Sequence, residues 1–188
     1  MKSSPCELTQ SLLLFSKNYL FEYQERYQHL PLIEKDEQWP SPCLLNDFDE
    51  EHQHWQPCEA DENLTFDNVE QALELTIHDD FKTYFTTLFS DTLDASCDEG
   101  ALSLLFAWSK EDFQRLQENV IGHILMKKKL KQAITLFFAI TDDENMIFVT
   151  DNYGGQNNQY RIIQVDFKRS LILELKSGDL VWAFTGQF

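Results

Sequence analysis

Residues 108–130 read Trp108-Ser109-Lys110-Glu111-Asp112-Phe113-Gln114-Arg115-Leu116-Gln117-Glu118-Asn119-Val120-Ile121-Gly122-His123-Ile124-Leu125-Met126-Lys127-Lys128-Lys129-Leu130. Ser109 followed three positions later by Asp112 is a helix-start signature, because a serine hydroxyl satisfies an orphan amide of the first turn. Phe113, Leu116, Val120, His123, Ile124 and Lys127 then keep the spacing of one helical face to about Leu130. The lysines from Lys127 to Lys131 fall at the carboxyl end, where the helix dipole favours cations. An apolar run of strand length, residues 102–108, precedes this helix. Two further strands follow at 135–140 and 146–150, joined by the turn Asp142-Asp143-Glu144-Asn145.

Working outward, Asn152-Tyr153-Gly154-Gly155 reads as a loop and 160–165 as a strand. The end of the chain is ambiguous: 171–175 and 180–184 flank Lys176-Ser177-Gly178-Asp179 as either a hairpin or an interrupted terminal helix. Upstream, Ser4-Pro5-Cys6-Glu7 starts a helix whose stripe is Leu8, Leu12, Phe15, Tyr19, Tyr23 and Tyr27, ending near Gln28 before Pro31. From 31 to 63 the periodicity fails. Short strands at 43–46 and near Trp55 are expected there, joined by an acidic turn at 47–51. Asp67-x-x-Glu70 is expected to cap a second helix carrying Val69, Leu73 and Ile77. A third helix is expected over 80–89, with Phe81, Tyr84, Phe85 and Leu88. Helices around a small, mostly antiparallel sheet define the α+β class, and 188 residues fit a single domain over 1–188.

Charge divides this chain unevenly. Residues 1–99 hold 5 basic and 22 acidic side chains, and residues 100–188 hold 10 of each, so the net −17 sits in the first part. Between Glu34 and Asp80 there are 15 acids against one base, Lys35. Such a balance argues against nucleic acid and against anionic lipid, both of which need Lys and Arg. An acidic run is either a solvated face or a docking surface for a basic partner. No stretch reaches the roughly 18–20 apolar residues of a membrane-spanning helix, and 12–15 is too short for a secretory signal, so direct insertion is not expected. The cysteines Cys6, Cys43, Cys58 and Cys97 form no CxxC pair and no dense framework, which favours a reducing, cytoplasmic setting.

Few motifs carry chemistry. His52-x-His54 with Cys58 has metal-like spacing, the one pattern on which a metal-dependent hydrolase would rest, but it lacks the ligand number and support of a zinc site. It reads as ordinary loop residues. Glu118 and His123 are five apart and do not share a face as i and i+4 would, so His123 reads as a partly buried, satisfied histidine. Neither a nucleophile elbow nor a phosphate loop is present, and Cys97 lies among acids that raise a thiol pKa. No catalytic residue, metal or cofactor is expected. Trp108 reads as core, whereas Trp39 and Trp55, set in the acidic segment, read as interface aromatics.

The segment 108–123 resembles the signature helix of the Syd family, the SecY-interacting proteins of gammaproteobacteria. Pro40-Ser41-Pro42-Cys43, Trp55-Gln56-Pro57, Tyr84-Phe85-Thr86-Thr87 and Lys129-Leu130-Lys131 before Thr135-Leu136-Phe137 are similar as well. The likeness covers roughly residues 8–155 and is loosest beyond, where the family is expected to end in a strand and a helix. It implies a non-enzymatic α+β protein that binds SecY of the SecYEG translocon on the cytoplasmic side of the inner membrane. An acidic concave surface would meet basic loops of SecY, in a role checking or disassembling improperly assembled complexes. Cytoplasmic loops of membrane proteins are rich in Lys and Arg, a suitable counterpart for this acid. The expected docking residues are Asp47, Asp49, Glu50, Glu51, Asp61 and Glu62, with Trp55 as an anchor. The alternative is an acidic, immunity-like inhibitor of a basic soluble protein or toxin.

Overall fold

A computed structural model describes residues 5–60, 63–97, 100–132, 134–141, 147–151, 159–165 and 170–176. Helix α1 (Pro5–Tyr27) opens it, and Ser4, the expected cap, lies outside the described residues. Its stripe climbs out of the core: Leu8, Leu12 and Phe15 are buried, Tyr19 and Tyr23 are half-buried, and Tyr27 is exposed. The helix stops at Gln28, whose φ of 62° is left-handed and whose amide donates to the Gln24 carbonyl at 2.9 Å. The buried Pro31 follows closely and cannot continue a helix.

Next come β1 (Leu32–Glu34), β2 (Leu44–Asp47) and β3 (His52–Trp55), an antiparallel sheet in the order β1-β3-β2. The expected strands at 43–46 and near Trp55 are both present, with the acidic turn between them. The pairing of β1 with β3, Leu32 opposite His54 and Glu34 opposite His52, was not legible in so short a run. A further two-residue strand, β4 (Cys58–Glu59), pairs with β5 (Leu88–Phe89).

Helix α2 (Asp67–Leu73) begins differently from its expected cap. Phe66 occupies the cap position, and the Asp67 amide instead donates to Thr65 Oγ1 at 3.4 Å. Glu70 turns away from the helix start, its Oε1 accepting from the Ile77 amide at 2.7 Å and Lys82 Nζ at 3.2 Å. The helix closes at Glu74, with φ 51°, so the buried Ile77 belongs to the loop beyond it. Helix α3 (Asp79–Thr87) starts on the His78 ring, which accepts from the Asp80 amide at 3.1 Å. Leu88 and Phe89, expected in this helix, form β5.

The largest sheet has six strands: β6 (Leu93–Cys97), β7 (Gly100–Leu104), β8 (Thr135–Thr141), β9 (Ile147–Asp151), β10 (Gln159–Val165) and β11 (Ser170–Lys176). Strand order follows chain order and every pairing is antiparallel. Residues 171–175 are therefore strand; 142–145, 152–155 and 180–184 lie outside the described residues. Helix α4 (Lys110–Lys129) connects β7 to β8. As expected, Ser109 Oγ caps it by accepting from the Asp112 amide at 3.2 Å, while Asp112 Oδ2 accepts from the Trp108 amide at 2.9 Å. Phe113, Gln117, Val120 and Ile124 are its buried face. The core beneath is aromatic: Phe66 meets Phe81 and Phe113 at 5.6 and 5.0 Å between centroids, and Tyr84 stacks on Phe106 at 5.0 Å. Such contacts add to the burial of large apolar rings. The architecture is α+β.

Candidate partner-binding surface

Phe48, Asp49, Glu50 and Glu51 make the turn between β2 and β3, and the backbone closes it through the amides of Phe48 and Asp49, which donate to the His52 carbonyl at 3.0 and 3.2 Å. Asp49 organises the rest. Its Oδ1 accepts from the His52 amide at 2.6 Å and the Glu51 amide at 2.8 Å, with the His52 ring nitrogen at 3.1 Å. These donors, the His52 amide first, hold the Asp49 carboxyl below its ordinary value. Lys35, the sole base between 34 and 80, is used up here: Nζ reaches Asp47 Oδ2 at 2.9 Å and the Asp49 carbonyl at 2.7 Å. Asp47, Asp49, Glu50 and Glu51 are all exposed. Among the described residues, the Glu50 and Glu51 carboxylates have no ion-pair partner. Four of the expected docking acids are thus gathered at one end of one hairpin. Asp61 and Glu62 lie outside the described residues.

Trp55 requires correction. It is 3% exposed, and its ring meets Trp108 edge-on at 5.7 Å and 79°. A side chain so placed cannot reach a partner from the surface; it braces the hairpin from beneath. Trp108 gathers the acidic segment further, its indole Nε1 donating to the Trp39 carbonyl at 3.3 Å and its own carbonyl accepting from Ser41 Oγ. Trp39 is exposed, with the Arg115 guanidinium 4.1 Å above its ring, so that indole face is covered from within the chain.

The exposed aromatics at the turn are others. Phe48 is 49% exposed, with His54 perpendicular to it at 5.2 Å and His29 at 5.4 Å. His29 leads back to Tyr27 at 6.3 Å and Tyr23 at 6.0 Å. Sequence reasoning passed over this ribbon, although the tyrosines of the α1 stripe, continuing past the last fully buried position, were its visible signal.

The remaining candidates have separate surroundings. His52 turns to Asp49, His54 Nδ1 lies 3.3 Å from the Asn46 carbonyl, and Cys58 Sγ lies 3.5 Å from Cys43 Sγ. Among the described residues no three His, Cys, Asp or Glu side chains form a metal-holding group. The hydrogen bond between the two thiols pushes Cys43 up and Cys58 down. His123 is half-buried, its Nε2 3.3 Å from Thr135 Oγ1 and its ring edge-on to Phe137. Burial first, then Lys127, lowers its pKa. Lys128 Nζ donates to the Leu73 carbonyl at 3.0 Å, placing a cation at the carboxyl end of α2. Among the described residues no helix is long and apolar enough to cross a membrane.

An α+β framework with one long capped helix and a carboxylate-rich hairpin braced against its start is the class of protein these features define. The family model described as "Syd protein (SUKH-2)" matches residues 9–160. Protein Syd of Colwellia psychrerythraea is 52% identical over 165 residues, covering 83% of this chain and 82% of that protein. Protein Syd of Alteromonas mediterranea is 47% identical over 122 residues, 64% of this chain and 67% of its own length. Protein Syd of Aliivibrio fischeri is 37% identical over 152 residues, covering 81% and 82%. This chain belongs to the Syd family.

Proposed function

We propose that this protein is a non-enzymatic binding partner of SecY, docking from the cytoplasmic side at the inner membrane and checking or dissociating improperly assembled SecY complexes. Family membership supports the choice of partner. The observation that carries the mechanism is the hairpin turn, where Asp47, Asp49, Glu50 and Glu51 are exposed and Glu50 and Glu51 have no ion-pair partner among the described residues. Asp61 and Glu62 extend this acid along the chain, and residues 1–188 act as one unit. Trp55 is not part of the contact surface, because it is buried. Basic cytoplasmic loops would be steered to this end of the molecule, raising the association rate at low ionic strength.

The test uses detergent-solubilised SecY. Retention is expected at low salt and release near molar salt, since screening acts on exposed charges. Replacing Asp47 and Asp49 by Asn, and Glu50 and Glu51 by Gln, is expected to weaken binding on the order of tenfold or more, four exposed pairs being removed together. Undiminished binding by that variant, or equal retention on SecY stripped of its basic cytoplasmic loops, would sink the acidic mechanism. Recovery of a basic soluble enzyme and no translocon component would favour the inhibitor alternative.

A further inference from the structure

The geometry points to an arginine-binding surface: we propose that Tyr27, His29, Phe48 and His54, beside the carboxylates of the acidic turn, take guanidinium side chains from an exposed segment of a basic protein partner. The identity of that partner rests on the reading above; the chemistry of the surface does not.

Three observations carry it. The rings are contiguous and come from three separate places: the end of α1, the loop after it, and the β2–β3 hairpin. Tyr27 and Phe48 are each about half exposed, at 50% and 49%. Scattered exposed apolar side chains need no explanation, but a continuous aromatic ribbon does. Second, Phe48 lies between Asp47 and Asp49 in sequence, with Glu50 and Glu51 following, so ring faces and carboxylates share one turn. Third, Lys35 pairs with Asp47 and the Asp49 carbonyl and leaves the Glu50 and Glu51 carboxylates without an ion-pair partner among the described residues.

Two imidazoles are held in place by backbone carbonyls. His29 Nδ1 lies 2.7 Å from the Leu30 carbonyl and His54 Nδ1 3.3 Å from that of Asn46. A carbonyl accepts, so Nδ1 is the donor in each ring. A guanidinium matches this set better than an ammonium does. Its plane stacks on a ring face while its edge donates in parallel to a carboxylate, whereas lysine offers a compact, strongly hydrated point charge. The molecule already uses this chemistry once, in Arg115 over Trp39.

The experiment titrates isotope-labelled full-length protein with two short peptides, alternating arginine–glycine and its lysine–glycine counterpart. The arginine peptide is expected to bind about fivefold more tightly, two exposed cation–π contacts being gained. Its side-chain methylene protons should move upfield under ring currents as the Phe48 and Tyr27 ring signals shift. Phe48→Leu and, separately, Tyr27→Leu should each shrink the arginine preference while leaving lysine-peptide affinity unchanged. Tyr27→Leu leaves the turn intact, so the test survives any disturbance of the hairpin by Phe48→Leu. Equal affinity for the two peptides, a preference that persists in both variants, or no binding of either would overturn the proposal. SecY retention that persists despite any of these leaves the acidic docking mechanism standing. An intact arginine preference without SecY retention would remove SecY and keep the surface.

Discussion

Gln117 is buried in α4, yet its amide is satisfied on both ends. Nε2 donates to the Thr65 carbonyl at 2.6 Å and to Asn68 Oδ1 at 3.0 Å, and Oε1 accepts from Asn68 Nδ2 at 3.2 Å. This reciprocal amide pair fixes α2 against α4 by a specific geometry that apolar packing alone does not impose. Gln117→Leu keeps the volume and removes every bond, leaving the exposed Thr65 and Asn68 to water. It is expected to cost about 0.5–1.5 kcal/mol in denaturant unfolding. Adding Asn68→Ala should cost little more, because the bonds between the two amides are already gone. Additive losses in the double variant would show that the two amides act independently. Trp55 teaches the opposite lesson at this scale. A tryptophan amid acids reads as exposed, and only the distant Trp108 decides that it is not.

Among the elements, the acidic turn responds to pH with a definite sign. Asp49 titrates lower in the folded turn than in an unfolded chain, so between the two values the unfolded state binds more protons and folding is favoured as pH rises. The contribution is fully present above the ordinary carboxylate range and fades as pH falls through the folded value. The amides of Glu51 and His52, which donate to Asp49, should then lose protection on acidification, measured as exchange relative to the intrinsic rate at each pH. In Asp49→Asn those amides should lose this response, since the substituted oxygen still accepts but no longer titrates. An unchanged acid response would assign it to another group.

The elements also show what was legible. The start of α4 was, because Ser109, Asp112 and the apolar face are local to one another. The start of α2 had the same spacing and was misread: the Glu70 carboxylate is drawn to Ile77 and Lys82, tertiary partners that outweigh a local cap. Strands β1, β4 and β5 are two or three residues long and carry no period; pairing with distant segments makes them strands. The four turn acids were legible as a charge run. The aromatic ribbon beside them was not, because it is assembled across elements.

At the scale of the molecule, Trp108 is one of the residues that join the two unequal halves of the charge distribution. The neutral half supplies α4 and most of the six-stranded sheet, and the acidic half supplies the hairpin. Trp108, at the junction of β7 and α4, touches the acidic half through Trp39, Ser41 and Trp55. A surface that must present repelling carboxylates is thereby fastened to a part of the protein that carries no net charge.

That fastening has a temporal consequence. Its hydrogen bonds join residues 67 and 69 positions apart, and a ribosome adds about 5–20 residues per second. The acidic hairpin therefore emerges seconds before its brace exists, with Trp55 still uncovered. Nascent chains stalled after residue 100 should leave segment 31–60 open to protease, and chains stalled after α4 has cleared the tunnel should protect it. Equal protection at both lengths would mean that the hairpin closes on its own. The newborn chain would pass through a stage in which its acidic segment has been made but not yet braced by Trp108.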